Sequence, residues 1–268
     1  APCSALEGKI SIPGDKSISH RAAILGALAH GESRIQGFLE SEDCLATLSC
    51  LAKMGVSIEK QGPGDYRIIG RGREGLGEPR DVLDCGNSGT TMRLLAGVLA
   101  GQGIMAVLTG DESLRARPMD RIIKPLLAMG AKIYGREENT KAPLVILDNP
   151  NLQGILYEMP TASAQVKSAI LLASLRAKGT TVIKEPALSR DHTEVMLGQL
   201  GIPIERKGLT ISMVSGAMPR AANITVPGDI SSAAFPMVAG AIMPGSHIVM
   251  ENVGINPTRS GIIHVLRE

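Results

Sequence analysis

Three segments of the chain end alike: Leu51-Ala52-Lys53-Met54-Gly55-Val56-Ser57-Ile58, Leu127-Ala128-Met129-Gly130-Ala131-Lys132-Ile133 and Leu197-Gly198-Gln199-Leu200-Gly201-Ile202-Pro203-Ile204. Each predicts a helix closed by a glycine cap and followed by a strand. Over 28–37, 99–110, 175–186 and 243–253 a second element recurs, in which a small-residue helix ends near Gly or Pro and runs into a β-rich strand. The unit is therefore strand, helix, strand, helix, strand, strand. Units begin near Gly14, Gly86, Thr161 and Gly228, about seventy residues apart, a longer period than solenoid repeats use. Three complete units fit between Gly14 and Pro227. A fourth stops inside its second helix at 261–268, so the expectation is a fragment or a chain whose remainder another molecule supplies.

The openings of the units are chemically alike. Each presents small polar residues as a helix begins: Lys16 and Ser17; Asn87, Ser88, Gly89 and Thr90; Ser163, Ala164 and Gln165; Ser231 and Ser232. The free amide groups of a helix start favour an anion, and Lys16 and Arg21 in Gly14-Asp15-Lys16-Ser17-Ile18-Ser19-His20-Arg21 deepen that preference. The apolar run 22–29 continues this helix toward a cap at Gly31. Solvated charge at a surface helix explains the segment equally well in isolation. Several such openings facing one place, with Lys and Arg between them, predict a site for a ligand carrying more than one negative charge.

Composition removes the competing classes. Net charge is only +2, and two Phe, three Tyr and no Trp leave no aromatic platform for single-stranded nucleic acid. Cys3, Cys44, Cys50 and Cys85 show no CxxC spacing and no nearby His, so neither a metal site nor a disulfide framework is expected. No signal sequence or membrane span is evident, and the expected location is the cytoplasm.

Gly70-Arg71-Gly72-Arg73-Glu74-Gly75 has dinucleotide-site spacing after a predicted strand at 66–69, but Gly77 and Pro79 forbid the helix that site requires; a mobile loop is expected. Gly8 to Ser17 fails as a phosphate loop because its glycines are too far apart and Asp15 separates Gly14 from Lys16. Asp191-His192-Thr193-Glu194 reads as a helix start rather than a catalytic cluster, with Arg190 before it the better ligand candidate. Among Arg115, Arg117 and Arg121, Pro118 fits a first helical turn and leaves Arg117 on the loop side, facing the site. Gly89 permits either tight backbone geometry or close approach of a ligand.

Together, Pro13-Gly14-Asp15-Lys16-Ser17-Ile18-Ser19-His20-Arg21, Gly86-Asn87-Ser88-Gly89-Thr90-Thr91-Met92-Arg93, Arg117-Pro118-Met119, Ser163-Ala164-Gln165-Val166-Lys167-Ser168-Ala169 and Arg190-Asp191-His192-Thr193-Glu194 resemble the 5-enolpyruvylshikimate-3-phosphate synthase family, collinearly over the whole chain. Lys16-Ser17 departs from the Lys-Asn pair of the sister UDP-N-acetylglucosamine enolpyruvyl transferases. The resemblance implies an α/β fold of repeated βαβαββ units, an inside-out α/β barrel of two three-unit lobes that the chain crosses twice. Residues 14–227 would form one complete lobe, and 1–13 with 228–268 an incomplete second one, truncated in its first full unit.

The implied reaction moves the enolpyruvyl group of phosphoenolpyruvate to the 5-hydroxyl of shikimate 3-phosphate through a tetrahedral intermediate, releasing phosphate, in aromatic amino-acid biosynthesis. No metal or organic cofactor, nucleic acid or membrane is implied, and a complementing C-terminal fragment is a further candidate partner. By position, Lys16, Ser17, Arg21, Ser163, Ala164, Gln165 and Arg190 would hold shikimate 3-phosphate. Lys16, Gly89, Arg117 and Gln165 would meet phosphoenolpyruvate. Ala164 and His192 depart from members that carry Ser and Tyr there. The acid and base groups are expected in the missing part, which leaves Lys16 as the catalytic contact here and turnover dependent on that part. A non-catalytic anion-binding module is the alternative.

Overall fold

The computed structural model describes residues 4–268, so Cys3 lies outside the described residues. Strand β1 (Glu7–Ile10) comes first. Unit one follows with α1 (Lys16–Leu28), β2 (His30–Gln36), α2 (Glu42–Lys53), β3 (Ser57–Gly62) and β4 (Asp65–Arg71). Unit two holds β5 (Leu83–Asp84), α3 (Gly89–Ala100), β6 (Ala106–Thr109), α4 (Glu112–Ala116), α5 (Asp120–Ala128), β7 (Lys132–Gly135), a single turn α6 (Arg136–Asn139) and β8 (Lys141–Leu147). Unit three is β9 (Leu156–Glu158), α7 (Ala164–Ser174), β10 (Thr180–Lys184), α8 (His192–Gln199), β11 (Ile204–Lys207) and β12 (Thr210–Val214). The remainder is β13 (Asn223–Thr225), α9 (Ile230–Ile242), β14 (His247–Met250) and α10 (Gly261–Val265).

The repeat is visible in the strand pairing. Sheets β5-β6-β8-β7 and β9-β10-β12-β11 have one order: the first two strands parallel across a helix, the last two antiparallel. Unit one has the same sheet, but its opening strand is β13, which returns from the end of unit three and pairs parallel with β2 through Asn223 and Arg34. The sequence placed the start of that unit at Gly14; the strand is a tertiary import. β1 in turn pairs parallel with β14, Glu7 opposite His247.

All three repeated glycines act as expected. Gly55, Gly130 and Gly201 have φ of 81, 90 and 84°. In each case the residue after the glycine returns an amide to the carbonyl of the last turn: Val56 to Leu51 (3.2 Å), Ala131 to Leu126 (2.9 Å) and Ile202 to Leu197 (2.9 Å). Val56, Ala131 and Ile202 are buried, which fixes where each following strand joins the core. Gly31 does not cap its helix. α1 ends at Leu28 with Ala29 in an extended conformation, and Gly31 lies inside β2.

Helices α1, α3 and α7 form the centre. From Thr91 to Ala100 every residue of α3 is buried, as is Val166–Ser174 of α7, so these helices are enclosed all round and the sheets lie outside them. With so few aromatic residues, contact depends on close approach of small ones: Gly97 of α3 sits against the backbone of Ala169 in α7. Gly70 and Arg71 finish β4, a short turn at Gly72–Glu74 follows, and no α-helix begins there. Cys44, Cys50 and Cys85 are buried free thiols. Among the described residues no helix is long and apolar enough to cross a membrane.

The chain passes between the unit-one region and the β1/β14 sheet at two adjacent points. Asp15 donates its amide to the Pro227 carbonyl and Asp229 to that of Pro13, both at 2.8 Å. Asp15 and Asp229 cap α1 and α9. Arg259 grips both carboxylates, at 2.6 Å to Asp15 and 3.0 Å to Asp229.

Candidate functional site

The site is built where α1, α3 and α7 begin. Asp15, Ser88 and Ser163 cap them by accepting the amides of Ile18, Thr91 and Val166. Each helix also carries one cation in its second turn: Arg21, Arg93 and Lys167. Arg21 is 4% exposed. It donates from Nε to Thr193 Oγ1 (2.7 Å), from Nη1 to the Ser17 carbonyl (2.8 Å) and from Nη2 to Ser168 Oγ (2.7 Å). A guanidinium has five N–H groups, so two remain. Arg190, exposed on the loop before α8, donates to Ser17 Oγ at 3.1 Å. Ser163, Ala164, Gln165, Ser189 and Arg190 line an open cleft beside them.

Gln165 joins this half of the site to the other. It accepts from Arg93 Nη1 at 2.8 Å and donates to Thr90 Oγ1 at 3.1 Å. Arg93 also donates to the Pro118 carbonyl at 3.2 Å. Arg117 follows α4 and grips Asn87 through its carbonyl (3.2 Å) and its side-chain oxygen. Between the two arginines lies Gly89, where a methyl group would stand 2.9 Å from Arg93 Nη1 and 3.4 Å from Arg117 Nη1. The glycine therefore keeps a space beside two cations.

The electrostatics favour an anion. Arg21, Arg93, Arg117 and Arg190 bond to hydroxyls, amides and carbonyls, and among the described residues none pairs with a carboxylate. Burial, and then the charge of Arg190, pull the Arg21 guanidinium down to about 10; burial, Arg121 and Arg117 do the same to Arg93. Uncompensated like charges held this close are stabilised by a ligand of opposite sign. Lys16 is different. Its ammonium pairs with Asp43 of α2, and no bond brings it to Arg117.

Beneath the site a chain of polar groups ties the helices: His20 Nδ1 to Thr47 Oγ1, Thr47 to Thr91, and Thr91 to Ser88, each 2.7 Å. Burial lowers the His20 ring to about 3 and the His192 ring to about 4. Both rings are neutral in the fold, whereas in the unfolded chain they take up protons below about 6.5. The unfolded state then binds more protons, so stability is lost as pH falls from about 6.5 toward 4 and 3. Between pH 7.5 and 5 the loss is about 2 kcal/mol per histidine. Urea unfolding at the two pH values measures it, and His20→Gln should remove about half of the fall; a flat profile would contradict this account.

Two local expectations are corrected. Pro118 is not in the first turn of a helix; it precedes Met119, which caps α5. Asp191 stands at the cap of α8, but its carboxylate takes a hydrogen bond from Asn256 at 2.6 Å instead of the α8 amides. Glu194 lies in the first turn of α8, as expected of an acid serving the helix dipole, and is in addition buried against Lys167 at 2.7 Å. Sequence reasoning named Asn87 and Thr90 only as part of a polar helix opening, and it passed over Arg93, Asp43, Ser168 and Thr193 as site residues. A lone cation one turn into an apolar helix is a readable signal for Arg93. The others depend on packing between units.

A family model described as EPSP synthase (3-phosphoshikimate 1-carboxyvinyltransferase) matches residues 1–268. A 3-phosphoshikimate 1-carboxyvinyltransferase of Bacillus thuringiensis (strain Al Hakam) is 54% identical over 265 residues, which is 99% of this chain and 61% of that protein. That of Bacillus anthracis (strain A0248) is 54% identical over 98% of this chain and 61% of its own length. The solved EPSP synthase of Acinetobacter baumannii superposes with a TM-score of 0.94 at 51% identity, covering 98% of this chain and 59% of the other. The chain thus spans about three fifths of the length of the relatives it matches.

Proposed function

The chain belongs to the EPSP synthase (3-phosphoshikimate 1-carboxyvinyltransferase) family, and from that membership we propose that it supplies the shikimate 3-phosphate site and part of the phosphoenolpyruvate site of this transferase. The observation that carries the reading is the convergence of Arg21, Arg93, Arg117 and Arg190 without a carboxylate partner. Two anionic substrates need such a surplus. Ser17, Arg21, Ser163, Ala164, Gln165 and Arg190 hold shikimate 3-phosphate, the guanidinium groups forking onto its phosphate. Gly89, Arg117 and Gln165 face phosphoenolpyruvate, joined by Arg93. Lys16, a mobile point charge on Asp43, serves both when it leaves that partner.

In the proposed reaction the 5-hydroxyl adds to the central carbon of phosphoenolpyruvate, and loss of phosphate from the adduct restores the vinyl group. These residues bring the two anions together and screen their repulsion. Proton transfer is assigned to the part of the longer relatives that this chain does not span. The division into a lobe at 14–227 and the start of another at 1–13 and 228–268 is part of the same reading, supported by the β13–β2 and β1–β14 pairings. The free thiols of Cys44, Cys50 and Cys85 suit the cytoplasm.

A phosphate-release assay tests the proposal, using the chain alone and mixed with the separately expressed C-terminal portion of a relative. Release only on mixing supports it. Release by the chain alone would contradict the assignment of proton transfer elsewhere, and binding of shikimate 3-phosphate with no release in either case favours a non-catalytic module. In the mixed enzyme, Gly89→Ala should weaken binding of the phosphonate glyphosate by about tenfold or more, because the methyl crowds Arg93. Unchanged inhibition would count against placing Gly89 beside phosphoenolpyruvate.

A further inference from the structure

Of the three cations in the second turns of α1, α3 and α7, only Lys167 is compensated. It is fully buried, and its ammonium meets Glu185 at 2.9 Å and Glu194 at 2.7 Å. Arg206 closes the cluster, 3.2 Å from Glu185 and 3.4 Å from Glu194. Two cations face two carboxylates, so the group is neutral as a whole. A buried ion cluster is a poor device for stability alone, because desolvation offsets most of the attraction. Its placement gives it another use. Glu185 follows β10 and accepts a hydrogen bond from Ser189 Oγ, while Lys167 Nζ also approaches the Ser189 carbonyl at 3.5 Å. Ser189 directly precedes Arg190, and Lys167 lies in the turn after Ser163, Ala164 and Gln165. The cluster therefore ties together the two walls of the cleft, the opening of α7 and the loop of Arg190.

Resting on the proposed function, we infer that Lys167 is a positioning residue that sets the affinity of the phosphate subsite by holding the 185–191 loop, and thus Arg190, against the start of α7. Arg206 touches the same carboxylates but makes no bond to Ser189. It shares the charge balance without sharing the link, and this separates positioning from mere stability.

The test compares two double variants of the full chain, each leaving one cation and one carboxylate in the cluster. Calorimetry with shikimate 3-phosphate, well below each thermal midpoint, should show K167M/E194Q weakened by about tenfold and R206M/E194Q within about twofold of the unaltered chain. In an Arg190→Ala background the effect of K167M/E194Q should largely vanish, because both changes remove one contact. Should K167M/E194Q fail to fold, Lys167→Gln, whose amide can still donate to Glu185, gives a smaller loss in the same direction. Equal affinities for the folded Lys167 variants, an equal loss in R206M/E194Q, or additivity with Arg190→Ala each overturns the inference while leaving the functional reading intact. An unaltered chain that does not bind shikimate 3-phosphate overturns that reading, and the inference with it.

Discussion

Gly97→Val should abolish the cooperative unfolding transition or sharply lower its midpoint. A β-carbon at Gly97 would stand 2.7 Å from the Cα of Ala169 and 2.8 Å from its carbonyl carbon, closer still to its oxygen. These atoms are helix backbone at the centre of the fold and cannot rotate away. Valine therefore separates α3 from α7, and the enclosed faces of both helices lose contact together. Overpacking of this kind costs about 3 kcal/mol or more, a large part of the 5–15 kcal/mol that holds a domain. Thermal and urea denaturation measure it, with Gly97→Ala as a milder change in the same direction. A midpoint within a few degrees of the unaltered chain would show that the two helices can move apart freely.

The second large effect concerns function and has the opposite stability sign. Arg21→Met should weaken shikimate 3-phosphate by about a hundredfold while leaving the midpoint unchanged or raised. Arg21 is a buried cation whose three hydrogen bonds end on a carbonyl and two hydroxyls, with no carboxylate to neutralise it. Replacing such a charge by an apolar side chain of similar volume removes a desolvation cost. Ser168 and Thr193 lose little, since their hydroxyls already bond each other at 2.6 Å. A charge-assisted contact to phosphate contributes about 1.5–3 kcal/mol, and the loss of two at the lower end of that range, about 3 kcal/mol, gives the expected factor. Ligand should also raise the midpoint of the unaltered chain and not that of the variant. A strongly destabilised Arg21→Met protein that binds normally when folded would reverse the roles given to this side chain.

What the sequence made legible was local. The three glycine caps, the unit they punctuate and the polar openings of α1, α3 and α7 each follow from residues within about ten positions of one another. The rest is long-range. β13 supplies the first strand of unit one, and Arg259 grips Asp15 from 244 positions away. No pattern in either partner announces the other. Gly31 shows the same limit on a small scale: the sequence offered it as a helix cap, but pairing of β2 with β4, which sets Gly31 opposite Gly70, begins the strand earlier. In the site, Arg21, Ser17 and Arg190 were chosen from their positions in motifs. The distinction between an uncompensated Arg93 and a compensated Lys167 depends on which carboxylates other units deliver, and only the packed structure contains it.

Calorimetric titration of the chain with shikimate 3-phosphate and, separately, with shikimate is the most direct test of the central claim, that the openings of α1 and α7 with Arg21 and Arg190 form a phosphate subsite. The two ligands share the ring and carboxylate and differ in the phosphate alone. Shikimate 3-phosphate should bind at least about a hundredfold more tightly, with the difference shrinking as salt is added. Equal affinities, or no binding of the phosphorylated ligand, would contradict it.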